Sequence, residues 1–418
     1  MALTWPAIAG TEKHEADLTP GATIYWPVMN SVFSYSTIEA RAQIRVPVAY
    51  TINKLRVRVV TNDFTGATTI LLRVNGVNTL LSVSITGGGT GLFVNDIDEV
   101  VTAADDLIVT QAVLGSGGAS ASKIASVSYT ITAATNSWIA AKTRVFDLTV
   151  GSTISQGTFY GSFIGSTDNV TVTSEGRTQF ELLADTTFSK LRVYVYQNTR
   201  NADISYTLRK NGVSTALKVT ITANTTGQFV DNVNSVDCVA GDKINFQSIN
   251  PVTTGTIRHS IVQLAAVGAT WTIGMGLSNQ FDGVDITGFG PIVDGTLDNN
   301  PFITEANAEV KLGSAYTFKR LSVVPTFIDT GGSFRLTLRK GQLDTDLTLL
   351  MTSGDNVQHT SVIDVDTIAD DFVAFKYVLV EGGTEIDWQY IYLDGNIAGG
   401  GGATRRRVGY GGFHAMRM

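Results

Sequence analysis

Apolar and polar residues alternate along most of this chain with a period of two. Ile204, Tyr206 and Leu208 alternate up to Asn211-Gly212, and Leu217, Val219 and Ile221 alternate away from it. An Asn-Gly pair between two alternating runs predicts a two-residue hairpin, because a type I′ turn needs positive φ at both central positions. The same pattern stands earlier, with Ile70, Leu72 and Val74 before Asn75-Gly76 and Leu81, Val83 and Ile85 after it. Residues 177–183, 191–196, 243–247 and 257–264 read as further strands, with a turn at Gly241-Asp242. Helical spacing of apolar residues is hard to find. The pattern therefore predicts an all-β chain of antiparallel strands, about eight to a unit, folded as jelly-roll-like two-sheet sandwiches. An immunoglobulin-like sandwich is the second choice, and the Cys…Trp…Cys spacing it would show is missing.

The pattern repeats. Lys54-Leu55-Arg56-Val57, Arg73, Asn75-Gly76-Val77, Gly91, Phe93-Val94, Asp106 and Gln111 recur 136 positions later as Lys190-Leu191-Arg192-Val193, Arg209, Asn211-Gly212-Val213, Gly227, Phe229-Val230, Asp242 and Gln247. A register held without a gap from 54 to 111 is the mark of a duplicated fold. A third copy is weaker: Phe318-Lys319-Arg320-Leu321 and Leu338-Arg339-Lys340 match 130 positions after the second. Its Lys340-Gly341-Gln342 replaces Asn-Gly, which predicts a different turn there. Trp5, Trp138 and Trp271 stand 133 apart, and regular spacing assigns them to a repeated core position rather than to sugar stacking. The unrepeated Trp26 and Trp388 are the better candidates for a surface contact.

The expected division is a first sandwich over 1–134, a second over 135–267, an acidic third over 268–398 and a basic Gly-rich arm over 399–418. The first 17 residues read as a polar lead-in, and an insertion in the second copy belongs around 165–176. Short connections predict units that sit close, as beads with restricted hinges.

Charge and composition sharpen this picture. Residues 267–398 carry eighteen acids against seven Lys and Arg, and the last twenty residues carry four Arg and no acid. The lone Cys238 forms no intrachain disulfide and reads as a packing residue. The N-terminus lacks a basic segment followed by an apolar one, so it does not read as a secretory signal. No apolar run approaches the ~20 residues that span a bilayer. A protein made in a cytoplasm, with no membrane partner, is expected.

Chemistry is scarce. His14, His259, His359 and His414 are scattered, and no His or Cys spacing suits zinc. Gly87-Gly88-Gly89 lacks the Lys-Ser/Thr and helix of a phosphate loop. Asp282, Asp285, Asp294 and Asp298 could offer oxygens to calcium, but Asp-Gly and Asp-Asn serve turns more often. No enzyme, cofactor or metal site is expected. In the arm, Arg405, Arg406, Arg407 and Arg417 bring charge, and Tyr410 and Phe413 bring apolar surface. These six are the candidate assembly contacts, with an acidic protein surface favoured over nucleic acid as their partner.

Leu208-Arg209-Lys210-Asn211-Gly212-Val213-Ser214-Thr215-Ala216-Leu217, Val219-Thr220-Ile221-Thr222 and Thr225-Thr226-Gly227 make the chain resemble tandem β-sandwich surface and structural proteins of tailed phages and related viruses. The resemblance implies a non-enzymatic virion component, such as a capsid decoration, fibre or tube subunit. Its partners would be copies of itself and other virion proteins. The alternative is a carbohydrate-binding or adhesive module that meets a host-surface glycan.

Overall fold

The structure is a computed structural model, which describes residues 2–10, 19–29, 35–118, 122–143, 156–163, 173–251, 254–276, 281–282, 287–290, 292, 304–328, 332–352, 358–380 and 385–397. The first nine strands are β1 (Leu3–Gly10), β2 (Thr23–Trp26), β3 (Ile44–Arg45), β4 (Tyr50–Thr61), β5 (Thr68–Val74), β6 (Val77–Ile85), β7 (Gly91–Val101), β8 (Leu107–Val113) and β9 (Lys123–Ala133). They form two antiparallel sheets in the orders β1-β9-β4-β7 and β2-β8-β5-β6, with β3 beside β8.

The next nine repeat this order. They are β10 (Ser137–Thr143), β11 (Gly157–Gly161), β12 (Phe180–Glu181), β13 (Thr186–Asn198), β14 (Ile204–Lys210), β15 (Val213–Ile221), β16 (Gly227–Cys238), β17 (Lys243–Asn250) and β18 (Ile257–Gly268). Their sheets run β10-β18-β13-β16 and β11-β17-β14-β15, with β12 beside β17. The last set is β19 (Trp271–Gly276), β20 (Phe281–Asp282), β21 (Thr287–Gly290), β22 (Val310–Lys311), β23 (Tyr316–Ile328), β24 (Ser333–Lys340), β25 (Leu343–Thr352), β26 (His359–Asp366), β27 (Phe372–Val380) and β28 (Glu385–Ile397). Here the orders are β19-β28-β23-β26, with β20 beside β28, and β21-β27-β24-β25, with β22 beside β27. The chain is thus all-β, built from paired antiparallel sheets.

Alternating burial explains how each pair closes into a sandwich. Ile70 and Leu72 of β5, Leu81, Val83 and Ile85 of β6, and Ile52 and Val57 of β4 are all buried in one apolar core. Polar atoms that enter this core meet across it: Thr110 on β8 and the Tyr129 hydroxyl on β9 lie 3.0 Å apart, as do the Tyr206 hydroxyl on β14 and His259 Nδ1 on β18. Strict alternation breaks along β4 and β13. Lys54 (φ 56) and Lys190 (φ 52) are inserted as bulges, so Ile52 and Leu55, and likewise Phe188 and Leu191, are all buried although three apart. A bulge adds one residue and restores the inward phase beyond it.

The hairpins at Asn75-Gly76 and Asn211-Gly212 have φ of 50 and 78, and of 51 and 77. Each Asn also ties the turn to the next strand: Asn75 Nδ2 donates to Asp106 and Asn211 Nδ2 to Asp242, both at 2.7 Å. Since Cβ is disfavoured at positive φ by roughly 1–2 kcal/mol, Gly212→Val is expected to destabilise the chain by about that amount, read from denaturant melts against the wild type.

Three expectations are corrected. The third hairpin is the same kind of two-residue turn, with Gly341 at φ 54 and Gln342 at φ 65; glycine simply takes the first position instead of the second. The polar lead-in contains a strand: β1 begins at Leu3 and pairs with β9, burying Leu3, Trp5, Ala7 and Ala9. Pro6 obscured it, yet β1 is an edge strand, where a missing N–H costs no ladder bond. Trp26 is 3% exposed and belongs to the core. The insertion expected at 165–176 falls mostly on residues outside those described.

Candidate assembly surfaces

The repeat carries a clamp on every hairpin. Arg73 on β5, Arg209 on β14 and Arg339 on β24 each donate to the carbonyl oxygen of their own turn, at Gly76, Gly212 and Gln342. Each also holds a glutamate of a short helical turn: Arg73 Nε lies 3.0 Å from Glu39, Arg209 Nη2 3.0 Å from Glu175, and Arg339 Nε 2.7 Å from Glu305. The Glu305 carboxylate raises the pKa of Arg339, and Glu175 does the same for Arg209. The glutamates sit in the helical turns Glu39–Arg41 and Glu175–Arg177 and in α1 (Glu305–Ala308), beside β3, β12 and β22. Guanidinium bonds of this charge-assisted kind hold geometry as well as energy. The clamp therefore fixes where β3, β12 and β22 stand, and these short strands form the junctions between sandwiches.

At the first junction, Arg192 on β13 reaches Asp105 in the turn before β8 at 2.6 Å, and its other amino group donates to the Arg45 carbonyl on β3 at 3.2 Å. Lys190 Nζ donates to the Pro47 carbonyl at 2.7 Å, and Arg41 stacks over Tyr196 at 4.5 Å. Arg192 is 3% exposed, and burial lowers its pKa against the opposing pull of Asp105. At the second junction, Arg320 on β23 donates to the Glu181 carbonyl on β12 and stands 3.5 Å from the Glu181 carboxylate. Phe180 and Tyr392 pack beside it, ring centres 5.9 Å apart.

The third junction joins the first sandwich to the last. Arg56 on β4 meets Asp370, in the turn before β27, at 3.2 Å. Arg58 meets Glu309 at 3.7 Å and lies over the Phe372 ring at 5.8 Å. Second on first, third on second and first on third is a closed cycle in which each sandwich presents the same strand to the same side of its neighbour. The units were expected to sit close, as beads with restricted hinges; what was not expected is that the first also meets the last. The sequence concealed this because which edges touch is not encoded in period or turn type.

The cycle also explains where the copies differ. Asp105 and Asp370 occupy a positive-φ turn position, with φ of 72 and 73, and the same turn in the second copy holds Gly241 at φ 89. That copy has no carboxylate to offer there. Glu181 supplies it from β12, where the other copies have Arg45 and Lys311, and the arginine that answers moves from the Arg192 position to Arg320. A glutamate at 39, 175 and 305, at the repeat's own offsets of 136 and 130, was the overlooked sequence signal for the clamp.

Arg405, Arg406, Arg407, Tyr410, Phe413 and Arg417 lie outside the described residues, as do Asp285, Asp294 and Asp298 of the calcium reading. Asp282 pairs through its backbone with Glu385. Among the described residues no three His, Cys, Asp or Glu side chains stand close enough to hold a metal ion, and no helix is long and apolar enough to cross a membrane. Cys238 is buried, which pushes its thiol up to about 11 and keeps it protonated and inert near neutrality. The chain matches no protein-family model and no curated protein.

Proposed function

We propose that this chain is a non-enzymatic structural subunit, a one-chain counterpart of a trimer, that assembles with copies of itself on a larger particle such as a virion. The reading rests most on the cyclic series of buried junction arginines, Arg56, Arg192 and Arg320, each 4% exposed or less. Closed rings of repeated sandwiches present the same surface three times, which suits building or decorating a symmetric particle better than it suits catalysis. Strand order supports the finer fold: 1-9-4-7 against 2-8-5-6 is the order of a jelly roll, frequent in capsid and surface proteins. On this reading the three sandwiches are tandem jelly rolls, the basic arm of residues 399–418 is the connector, and its partners are other copies and other virion proteins. Four of the five tryptophans, Trp5, Trp26, Trp138 and Trp271, are buried, which weakens the alternative of a glycan-stacking module.

Sedimentation velocity with electron microscopy of the purified chain tests the reading. Concentration-dependent higher species at physiological salt, lost on deleting 399–418 while the fold is kept, are the expected result. A chain that stays monomeric at every concentration would overturn it.

A further inference from the structure

Among the described residues, the far edges of the two sheets of each sandwich have no strand partner, and these edges run side by side: β6 with β7, β15 with β16, β25 with β26. Within this edge the chain bulges outward and carries an apolar residue at the tip. Asn95 Oδ1 accepts from the amides of Ile97 at 3.3 Å and Asp98 at 3.0 Å, and Asp231 Oδ1 accepts from Val233 at 3.0 Å and Asn234 at 3.1 Å. The residues so held up, Ile97 and Val233, are 94% and 91% exposed. In the third sandwich the register shifts at the equivalent place, between Phe318 and Arg320, and exposes Val362 by 62% and Ile363 by 40%. Leu80, 79% exposed, stands beside Ile97, since Asn95 Nδ2 reaches the carbonyl groups of Leu80 and Ser82.

Lone exposed apolar residues need no explanation. An exposed β-branched residue at the same edge of three copies, held up in two of them by the same Asn or Asp side-chain bonds, does. Edge strands are normally protected by a charge where another strand would pair; here the charges flank the tip and the tip itself is apolar. The six edge strands carry nine acids and one lysine, Lys218, in a chain whose whole net charge is −7. An apolar tip with an acidic surround fits a partner that is cationic and aromatic. Residues 405–417, with four arginines, Tyr410 and Phe413 and no acid, are such a stretch and lie beyond the last strand. Beginning after β28, twenty residues reach up to about 66 Å when extended, far enough to leave their own sandwich.

We infer that the β6–β7, β15–β16 and β25–β26 edges are docking sites for the basic arm, residues 399–418, of a second copy of this chain. Tyr410 or Phe413 covers the apolar tip, and the arginines pair with the acids beside it. The inference rests on the reading of the arm as the connector, and names the surface it meets.

The test uses the full chain with a photo-reactive benzoyl-phenylalanine in place of Tyr410, mixed from heavy- and light-isotope preparations, together with the variant Ile97→Lys, Val233→Lys, Val362→Lys. Cross-links between heavy and light copies within β7, β16 or β26 are expected. The triple variant should need at least tenfold more protein for half-assembly, with an unchanged melting temperature because the three side chains are exposed. Intermolecular cross-links elsewhere, with the triple variant assembling as the wild type does, overturn the edge and leave the arm as connector. Cross-links confined to one copy overturn the edge as a site between copies, and unaltered assembly on deleting 399–418 overturns both.

Discussion

Replacing Arg320 by alanine is expected to cost about 3–5 kcal/mol of stability, the usual penalty for removing one partner of a buried ion pair. Arg320 Nε lies 2.6 Å from Asp394, whose carboxylate is fully buried and whose second oxygen accepts from Thr272 at 2.5 Å. Without the guanidinium, Asp394 keeps one hydrogen bond and no counter-charge. Burial raises its pKa, and Arg320 now opposes that shift, so in the variant the carboxyl is driven further towards its neutral form. The sign follows. A carboxyl with a raised folded-state pKa adds stability below its unfolded pKa and loses it as pH rises through the folded one. The Arg320→Ala deficit is therefore smallest in acid and grows towards neutrality, in a series of denaturant melts. A deficit that shrinks as pH rises would contradict the pairing. The second variant, Arg320→Ala with Asp394→Ala, recovers part of the loss, because no charge is left stranded. Glu181 loses its partner in either case, so the junction to the second sandwich weakens too.

Trp271→Ala is expected to be of similar size, about 3–5 kcal/mol, the range for truncating a large buried aromatic. The indole is fully buried and stands edge-on to two rings, Tyr316 at 5.7 Å and Phe318 at 5.9 Å. It occupies a slot that Gly395 makes possible: a Cβ there would come within 2.6 Å of the ring. Alanine cannot fill such a slot, and close-packed neighbours relax into it only in part. Calorimetry should show the melting of the third sandwich lowered by on the order of 10 °C. Trp5 against Tyr50 and Trp138 against Phe188, ring centres 6.3 and 6.4 Å apart, are the same arrangement in the other two, so the effect should recur there. A change below about 1 kcal/mol at all three would show that these rings are not the anchors of their first strands.

How much of this was legible beforehand depended on range. Local chemistry was readable: Asn75-Gly76 and Asn211-Gly212 name their turn because only a few residues tolerate positive φ twice in a row. The alternation of Ile204, Tyr206 and Leu208 names a strand with one buried face. Pro6 hid β1, because a proline argues against a strand unless the strand is known to lie at an edge, and edge position is a tertiary fact. Trp26 looked like a surface residue for want of a counterpart, although burial depends on the packing around a residue and not on whether it repeats. The junctions were invisible in the same way. Arg56 and Asp370 are 314 positions apart, and nothing local marks either one. Long-range information lies in the repeat itself: Glu39, Glu175 and Glu305 share the offsets of the arginines that hold them, a signal the turn-and-strand reading passed over, and only the structure ties Gly241 in place of Asp105 to the changed junction.

Small-angle X-ray scattering on the chain ending at Ala398 tests the closed cycle most directly. Three sandwiches closed on one another through Arg56–Asp370, Arg192–Asp105 and Arg320–Glu181 form a compact particle, with a radius of gyration of about 21 Å by the scaling for compact chains of this length. The curve at infinite dilution should give a value close to that and a single-peaked distance distribution. A distribution with a long tail and a radius half as large again, as for a string of three beads, would mean that the first and last sandwiches do not meet.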